Sequence, residues 1–185
     1  STPSPWGSRP QAMDPKDRLP TEWPEFDPRA ILHRLVDAGV DFVVIGGIAV
    51  ILAGYGRATR DLDIAFAGDR ANLEVLGGVL TGLDAKLRGV TDDVPFVADA
   101  RTLAGAQLLT LTTALGWLDV HRSIAGVRSY ETLRSRAERV RLDDSAVLIA
   151  SVDDLLAMKR ASGRPQDLID VEALDAIKRL GQKPR

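Results

Sequence analysis

Two acidic residues flanking one apolar residue, Asp61-Leu62-Asp63, begin fourteen residues after a Gly46-Gly47 pair. If residues 60–66 form a strand, the two-residue side-chain period puts Asp61 and Asp63 on one face and Leu62 and Ile64 on the other. Carboxylates that share a surface repel each other, raising one pKa, unless a cation sits between them. Such an oxygen pair suits Mg²⁺, which takes a few carboxylates together with substrate phosphates and water. The same alternation also fits the solvent-facing side of an edge strand. The upstream glycines bear on that choice. A Gly-Gly turn between a strand and a helix lets backbone N–H groups approach an anion closely, and the helix N-terminus adds a favourable partial positive charge. Phosphates and the metal-binding carboxylates have to be neighbours, and the turn lies on what becomes the adjacent strand. A packing turn with no ligand is the alternative.

The elements that must position these residues are legible as patterns. Asp27-Pro28 is an N-cap followed by Pro at the first helical position, Ile31, Leu32, Leu35 and Val36 form one apolar stripe, and Gly39 ends that helix. Val40–Ile45 reads as a strand closed by the diglycine, Ile48–Ala53 as a short helix, Arg60–Phe66 as a second strand and Asn72–Leu80 as a helix. Residues 82–106 read only as short strands and loops. Gln107–Thr112 and Trp117–His121 flank a turn, Tyr130–Arg136 is a short helix, and two strands surround Asp143-Asp144. Ser151 and Asp154 start a helix that Gly163 stops. The last helix begins at Pro165 with Leu168, Val171, Leu174, Ile177 and Leu180 spaced three apart. Helices and strands do not alternate regularly, so the fold class is α+β. Six of the ten prolines fall in the first 24 residues, so residues 1–26 are expected to be a flexible leader on which Trp6 and Trp23 offer docking side chains. Residues 27–150 then form the core, and 151–185 add C-terminal helices.

Composition narrows the function classes. The 185 residues carry a formal net charge of −2, which excludes a globally basic nucleic-acid binder. Zero cysteines exclude a disulfide framework, a thiol nucleophile and a Cys-ligated zinc site. The apolar run from Phe42 to Ala53 is short of the ~20 residues of a membrane span, and the N-terminus lacks a secretory pattern. A cytoplasmic protein is expected.

From Gly46-Gly47 through the short helix to Arg57, Thr59 and Asp61-x-Asp63, the sequence resembles the nucleotidyltransferase fold of DNA polymerase β type, closest to the small AbiEii-like and MenT-like toxin nucleotidyltransferases of toxin–antitoxin systems. The resemblance runs from about Gly39 to Leu174 and is specific near residues 45–64 and, more weakly, 159–170. It implies a mixed-sheet core with flanking helices and a C-terminal helical element. It also implies that Gly46 and Gly47 hold the nucleotide phosphates, and that the two strand carboxylates bind divalent metal with a third from a later strand. Gly47 stands where many relatives carry Ser, which removes one hydroxyl contact to phosphate and leaves the backbone cradle.

Two-metal phosphoryl chemistry calls for that third ligand. Asp119 is the candidate, because in a Trp117–His121 strand it shares a face with Trp117 and His121, and Asp is a poor strand former. An exposed hairpin position is the alternative, and His121 reads as a surface histidine. By resemblance, Lys159 neutralises the triphosphate, assisted by Arg57, while Asp167 holds Arg164 or Lys159 in place. Asp167 is also favourable in a first helical turn for dipole reasons alone. Asp170 reads as a solvated helix residue. Thr59, two residues from Asp61, is a regulatory candidate, since a phosphoryl group there adds negative charge beside the carboxylates. Six arginines (122, 128, 134, 136, 139, 141) against Glu131 and Glu138 form a local basic stretch suited to an RNA backbone, though solvated faces account for it as well.

The expected function is Mg²⁺- or Mn²⁺-dependent transfer of NMP from an NTP to an RNA acceptor. The resemblance implies the tRNA 3′ end as that acceptor and a cognate antitoxin as partner. The alternatives are a minimal nucleotidyltransferase antitoxin that adenylylates a protein partner, and a catalytically silent binding module.

Overall fold

The structure, a computed structural model, describes residues 25–181; the readings for the leader and for Trp6 and Trp23 lie outside them. The chain runs α1 (Pro28–Asp37), β1 (Phe42–Ile45), α2 (Gly46–Leu52), β2 (Asp61–Phe66), α3 (Arg70–Gly82), β3 (Lys86–Leu87), α4 (Ala100–Gly105), β4 (Leu108–Thr113), β5 (Gly116–His121), α5 (Tyr130–Arg136), β6 (Glu138–Leu142), β7 (Ser145–Ile149), α6 (Val152–Ser162) and α7 (Pro165–Gly181). The seven strands form one mixed sheet in the order β3-β4-β5-β2-β1-β7-β6.

β1 reads Phe-Val-Val-Ile and is buried throughout, as expected of a strand covered on both faces. It pairs antiparallel with β2 and parallel with β7. β2 pairs parallel with β5, in a register that sets Asp63 opposite Asp119 and Ala65 opposite His121. Leu62, Ile64, Leu118 and Val120 from these two strands enter the core. Period two therefore sends Asp61, Asp63, Asp119 and His121 to the other face. Helix ends follow the expected chemistry: the Asp27 carboxylate accepts from the Ala30 N–H at 2.9 Å, Ser151 Oγ accepts from the Asp154 N–H at 3.1 Å, and Gly163 closes α6 in the left-handed region.

One reading changes. Residues 82–106 contain the helix α4, whose start is fixed by the Asp99 side chain accepting from the Thr102 N–H at 2.8 Å. The three-residue apolar spacing in α7 does not make a core stripe. At 3.6 residues per turn a step of three falls about 60° short of a full turn, so five such positions wind around the helix. Leu168 and Leu180 are accordingly 57% and 68% exposed while Leu174 is buried. The inward face of α7 is Asp167, Asp170 and Leu174, so two of its three buried positions are carboxylates.

Candidate active site

Adjacent strands of a sheet lie about 4.8 Å apart, so the β2–β5 register brings Asp63 and Asp119 side by side with Asp61 two residues away on the same face. All three line a cleft of ≈ 620 Å³ together with Gly46, Gly47, Arg57, Thr59, Lys159, Arg164 and Asp167. The volume falls within the ~300–1,000 Å³ of ligand pockets.

The diglycine turn is held in a form that leaves no room for a larger residue at Gly46 and little at Gly47. Gly46 has φ +66°, and a Cβ there would sit 2.3 Å from Asp63 Oδ2. At Gly47 a Cβ would lie 2.8 Å from both Arg57 Nη2 and Thr59 Oγ1. The turn, the first carboxylate strand and the loop carrying Arg57 and Thr59 are thus in van der Waals contact. Thr59 Oγ1 in turn donates to Asp61 Oδ1 at 3.2 Å.

Behind this layer lies a charge network that ties three segments together. Lys159 Nζ sits 3.0 Å from Asp167 Oδ1 and 3.0 Å from Asp170 Oδ2, and Arg57 Nε lies 3.0 Å from Asp170 Oδ1. Arg164 Nε donates to Asp167 Oδ2 at 3.0 Å. Asp170 is fully buried, which corrects its reading as a solvated helix residue; it anchors Arg57 from α7 over the diglycine turn. Lys159 reaches the cleft, yet its side chain is only 9% exposed and its ammonium is held by two buried carboxylates rather than presented as a free point charge. Burial pushes the Asp167 carboxyl up, but hydrogen bonds from Lys159, Arg164 and Ser162 overcome it and hold the group at about 2.

The carboxylate row is electrostatically loaded. Burial, then the charges of Asp63 and Asp61, push the Asp119 carboxyl up to about 6, against the opposing pull of Arg88 and His121. His121 Nε2–H donates to Asp63 Oδ1 at 2.8 Å, so it is a partner of the row and not a lone surface histidine. Arg88 Nη2 donates to Asp119 Oδ1, and its guanidinium lies 4.6 Å from the centroid of the Trp117 ring. Arg88 belongs to the segment left unread in the sequence, and no spacing signal marks it. An all-oxygen set of three carboxylates in one cleft is the chemistry of a hard divalent cation; the Asp119 carboxyl is raised first by burial and then by the neighbouring carboxylates, whose repulsion such a cation would relieve. Among the described residues no three acidic or imidazole side chains are gathered tightly enough to enclose an ion. Asp63 and Asp119 bond His121 and Arg88 instead.

This mixed sheet, with an acidic pair on one strand, a third carboxylate on its parallel neighbour and a glycine turn against them, has the polymerase β-like fold, that of nucleotidyltransferases. The lincosamide antibiotic adenylyltransferase LnuA superposes with a TM-score of 0.55 at 16% identity, over 83% of this chain and 99% of that one. The antibiotic-resistance factor ANT(2″)-Ia does so with a TM-score of 0.52 at 12% identity, over 83% and 90%. At these identities the likeness is one of fold. The sequence model of the family described as "Nucleotidyltransferase of unknown function (DUF6036)" matches residues 32–182, and the chain belongs to that family. No curated protein matches the sequence. Membership of the AbiEii-like or MenT-like toxins does not follow from these matches.

Proposed function

We propose that the chain transfers a nucleoside monophosphate from an NTP to a hydroxyl of an RNA acceptor, the tRNA 3′ end, and acts as the toxin of a toxin–antitoxin pair restrained by a cognate antitoxin. The observation that carries the transfer reading is the Asp63–Asp119 register across parallel strands, set against a glycine turn with no room for a side chain at Gly46. Asp61, Asp63 and Asp119, with the phosphates of a bound NTP completing the oxygen set, would hold Mg²⁺ or Mn²⁺, which when bound polarises the α-phosphate and lowers the pKa of the attacking hydroxyl. Gly46 and Gly47 offer backbone to the β- and γ-phosphates, and Arg57, fixed by Asp170, stands over that turn. The acceptor oxygen forms its bond to the α-phosphorus as the bond to the β-phosphate oxygen breaks. Pyrophosphate leaves, and Asp119 takes the hydroxyl proton.

The charge of the cleft favours an anionic acceptor. Apart from the three carboxylates, the acidic residue among its described lining residues is Asp167, and Lys159 and Arg164 neutralise it. A multiply protonated amine would find no further carboxylate to bind. A small-molecule acceptor is the second reading, prompted by the lincosamide antibiotic adenylyltransferase LnuA and the antibiotic-resistance factor ANT(2″)-Ia.

Incubating the protein with each α-labelled NTP and total tRNA tests this. Label is expected in tRNA, and Asp61→Ala or Asp63→Ala should abolish it while circular dichroism stays unchanged, because partly exposed carboxylates contribute little to stability. Retained labelling in both variants rejects the site; label that never enters RNA rejects the acceptor.

A further inference from the structure

The segment that follows β5 separates the active-site cleft from a second pocket of ≈ 280 Å³, and Ser123 and Ile124 line both. The second pocket opens where β2 and β5 end, at Phe66, Gly68 and Arg122, and its far wall is Arg128, Tyr130 and Glu131. The chain itself leads there: Asp119 and His121 face the cleft, and Arg122 and Ser123 come next.

The six arginines of residues 122–141 do not act as one basic face. Arg134 is paired with Asp41 at 2.8 Å and Arg136 with Asp154 at 3.1 Å, and Arg141 donates to the Asp143 carbonyl at 3.0 Å. Arg139 sits on β6, the sheet edge farthest from β3. Arg122 and Arg128 remain. Arg122 donates through Nη1 to the Ala104 carbonyl, which holds the side chain without neutralising its charge. Arg128 is exposed and has no carboxylate partner among the described residues. The pocket thus carries two guanidinium groups against the single carboxylate of Glu131. Two guanidinium groups with no carboxylate bonded to them, and a net positive charge beyond a site that takes a hydroxyl, are what a polyanionic chain requires, whereas a small acceptor would end inside the first cleft.

We infer that the second pocket binds the backbone of a single RNA strand whose terminal nucleotide lies in the cleft, with the preceding phosphates on Arg122 and Arg128. This rests on the RNA-acceptor reading and adds where the strand runs. Arginine suits the task because its fork of donors matches phosphate oxygens.

The test measures binding of a short fluorescent single-stranded RNA with a free 3′ hydroxyl across a salt series, using the full chain, Arg128→Ala, the Arg122→Ala/Arg128→Ala pair, and Arg139→Ala as control. Each lost phosphate contact should weaken binding severalfold and flatten the log–log salt slope by about 0.7. Arg139→Ala should match the wild type, and binding of a fluorescent ATP analogue should be the same in every variant. Arg128→Ala breaks no hydrogen bond or ion pair among the described residues, so its result does not depend on how Arg122 packs against Ala104. Wild-type affinity and slope in both Arg128 variants would overturn the inference while leaving RNA as the acceptor. A wild-type chain that binds the ATP analogue but neither binds nor labels RNA would overturn the acceptor reading, and this inference with it.

Discussion

Neutralising Asp167 should cost both stability and the order of the cleft. Its carboxylate is buried between Lys159 and Arg164 and is held at about 2, against an ordinary value of 3.8. A folded-state pKa below the unfolded one stabilises the charged form, so its contribution is complete above about pH 4 and disappears as pH falls towards 2. At 1.36 kcal/mol per pKa unit the difference amounts to about 2 kcal/mol at neutral pH. Asp167→Asn should therefore lower stability at pH 7 by about 2–3 kcal/mol; the larger losses of ~3–5 kcal/mol seen when a buried pair is broken are tempered here because Lys159 keeps Asp170. For a chain of this length that is a fall in Tm of roughly 4–12 °C. Urea unfolding of wild type and variant at pH 7 and pH 3 reads the effect directly: a clear gap at neutral pH that narrows in acid. The variant should also raise the KM for NTP, because Arg164 loses its partner at the cleft. Equal stability at pH 7, or a gap that widens in acid, would refute the assignment of Asp167 as the network's charged centre.

Three further outcomes are expected. Gly46→Ala forces a Cβ into Asp63 at a left-handed φ and should abolish transfer with a stability loss of about 1–3 kcal/mol, checked by labelled-nucleotide incorporation and melting. Asp119 has a raised folded-state pKa, so its charge penalises the metal-free fold increasingly from pH 4 to 6 and fully above; Asp119→Asn should raise the Tm in EDTA at pH 8 and change it little at pH 4, and Mg²⁺ should stabilise the wild type more than the variant. Thr59→Glu places a second negative charge beside Asp61, with which Thr59 now shares a hydrogen bond, and should weaken NTP binding at least tenfold in a fluorescence titration; unaltered activity would count against Thr59 as a regulatory position.

Local periodicity made the front of the cleft legible. Asp61 and Asp63 share a face because a strand alternates, the diglycine marks a turn because only glycine reaches φ +66° readily, and Asp119 stands out as an acid inside an apolar strand. Its placement beside Asp63 depends on a strand order of β5-β2-β1, which no local pattern encodes. The back of the cleft was legible only in part: the resemblance put Lys159, Arg164 and Asp167 together, as they stand, but left out Asp170 and Arg88. Asp170 lies 113 residues from its partner Arg57, and Arg88 lies 31 from Asp119, in a segment without period. Buried carboxylates on α7 look like solvated ones in sequence, because what distinguishes them is the cation supplied from another element.

Asp170 also gives the end of the chain a task at its beginning. The last helix grips Arg57, and Arg57 roofs the bend where the phosphates are proposed to rest. Whatever prises that helix outward, whether a binding protein or a truncation before Pro165, would unfasten the roof and take from Lys159 both carboxylates that hold its ammonium. If the bend seats the phosphates as proposed, release of this helix disables that seat from behind, without anything entering the cleft.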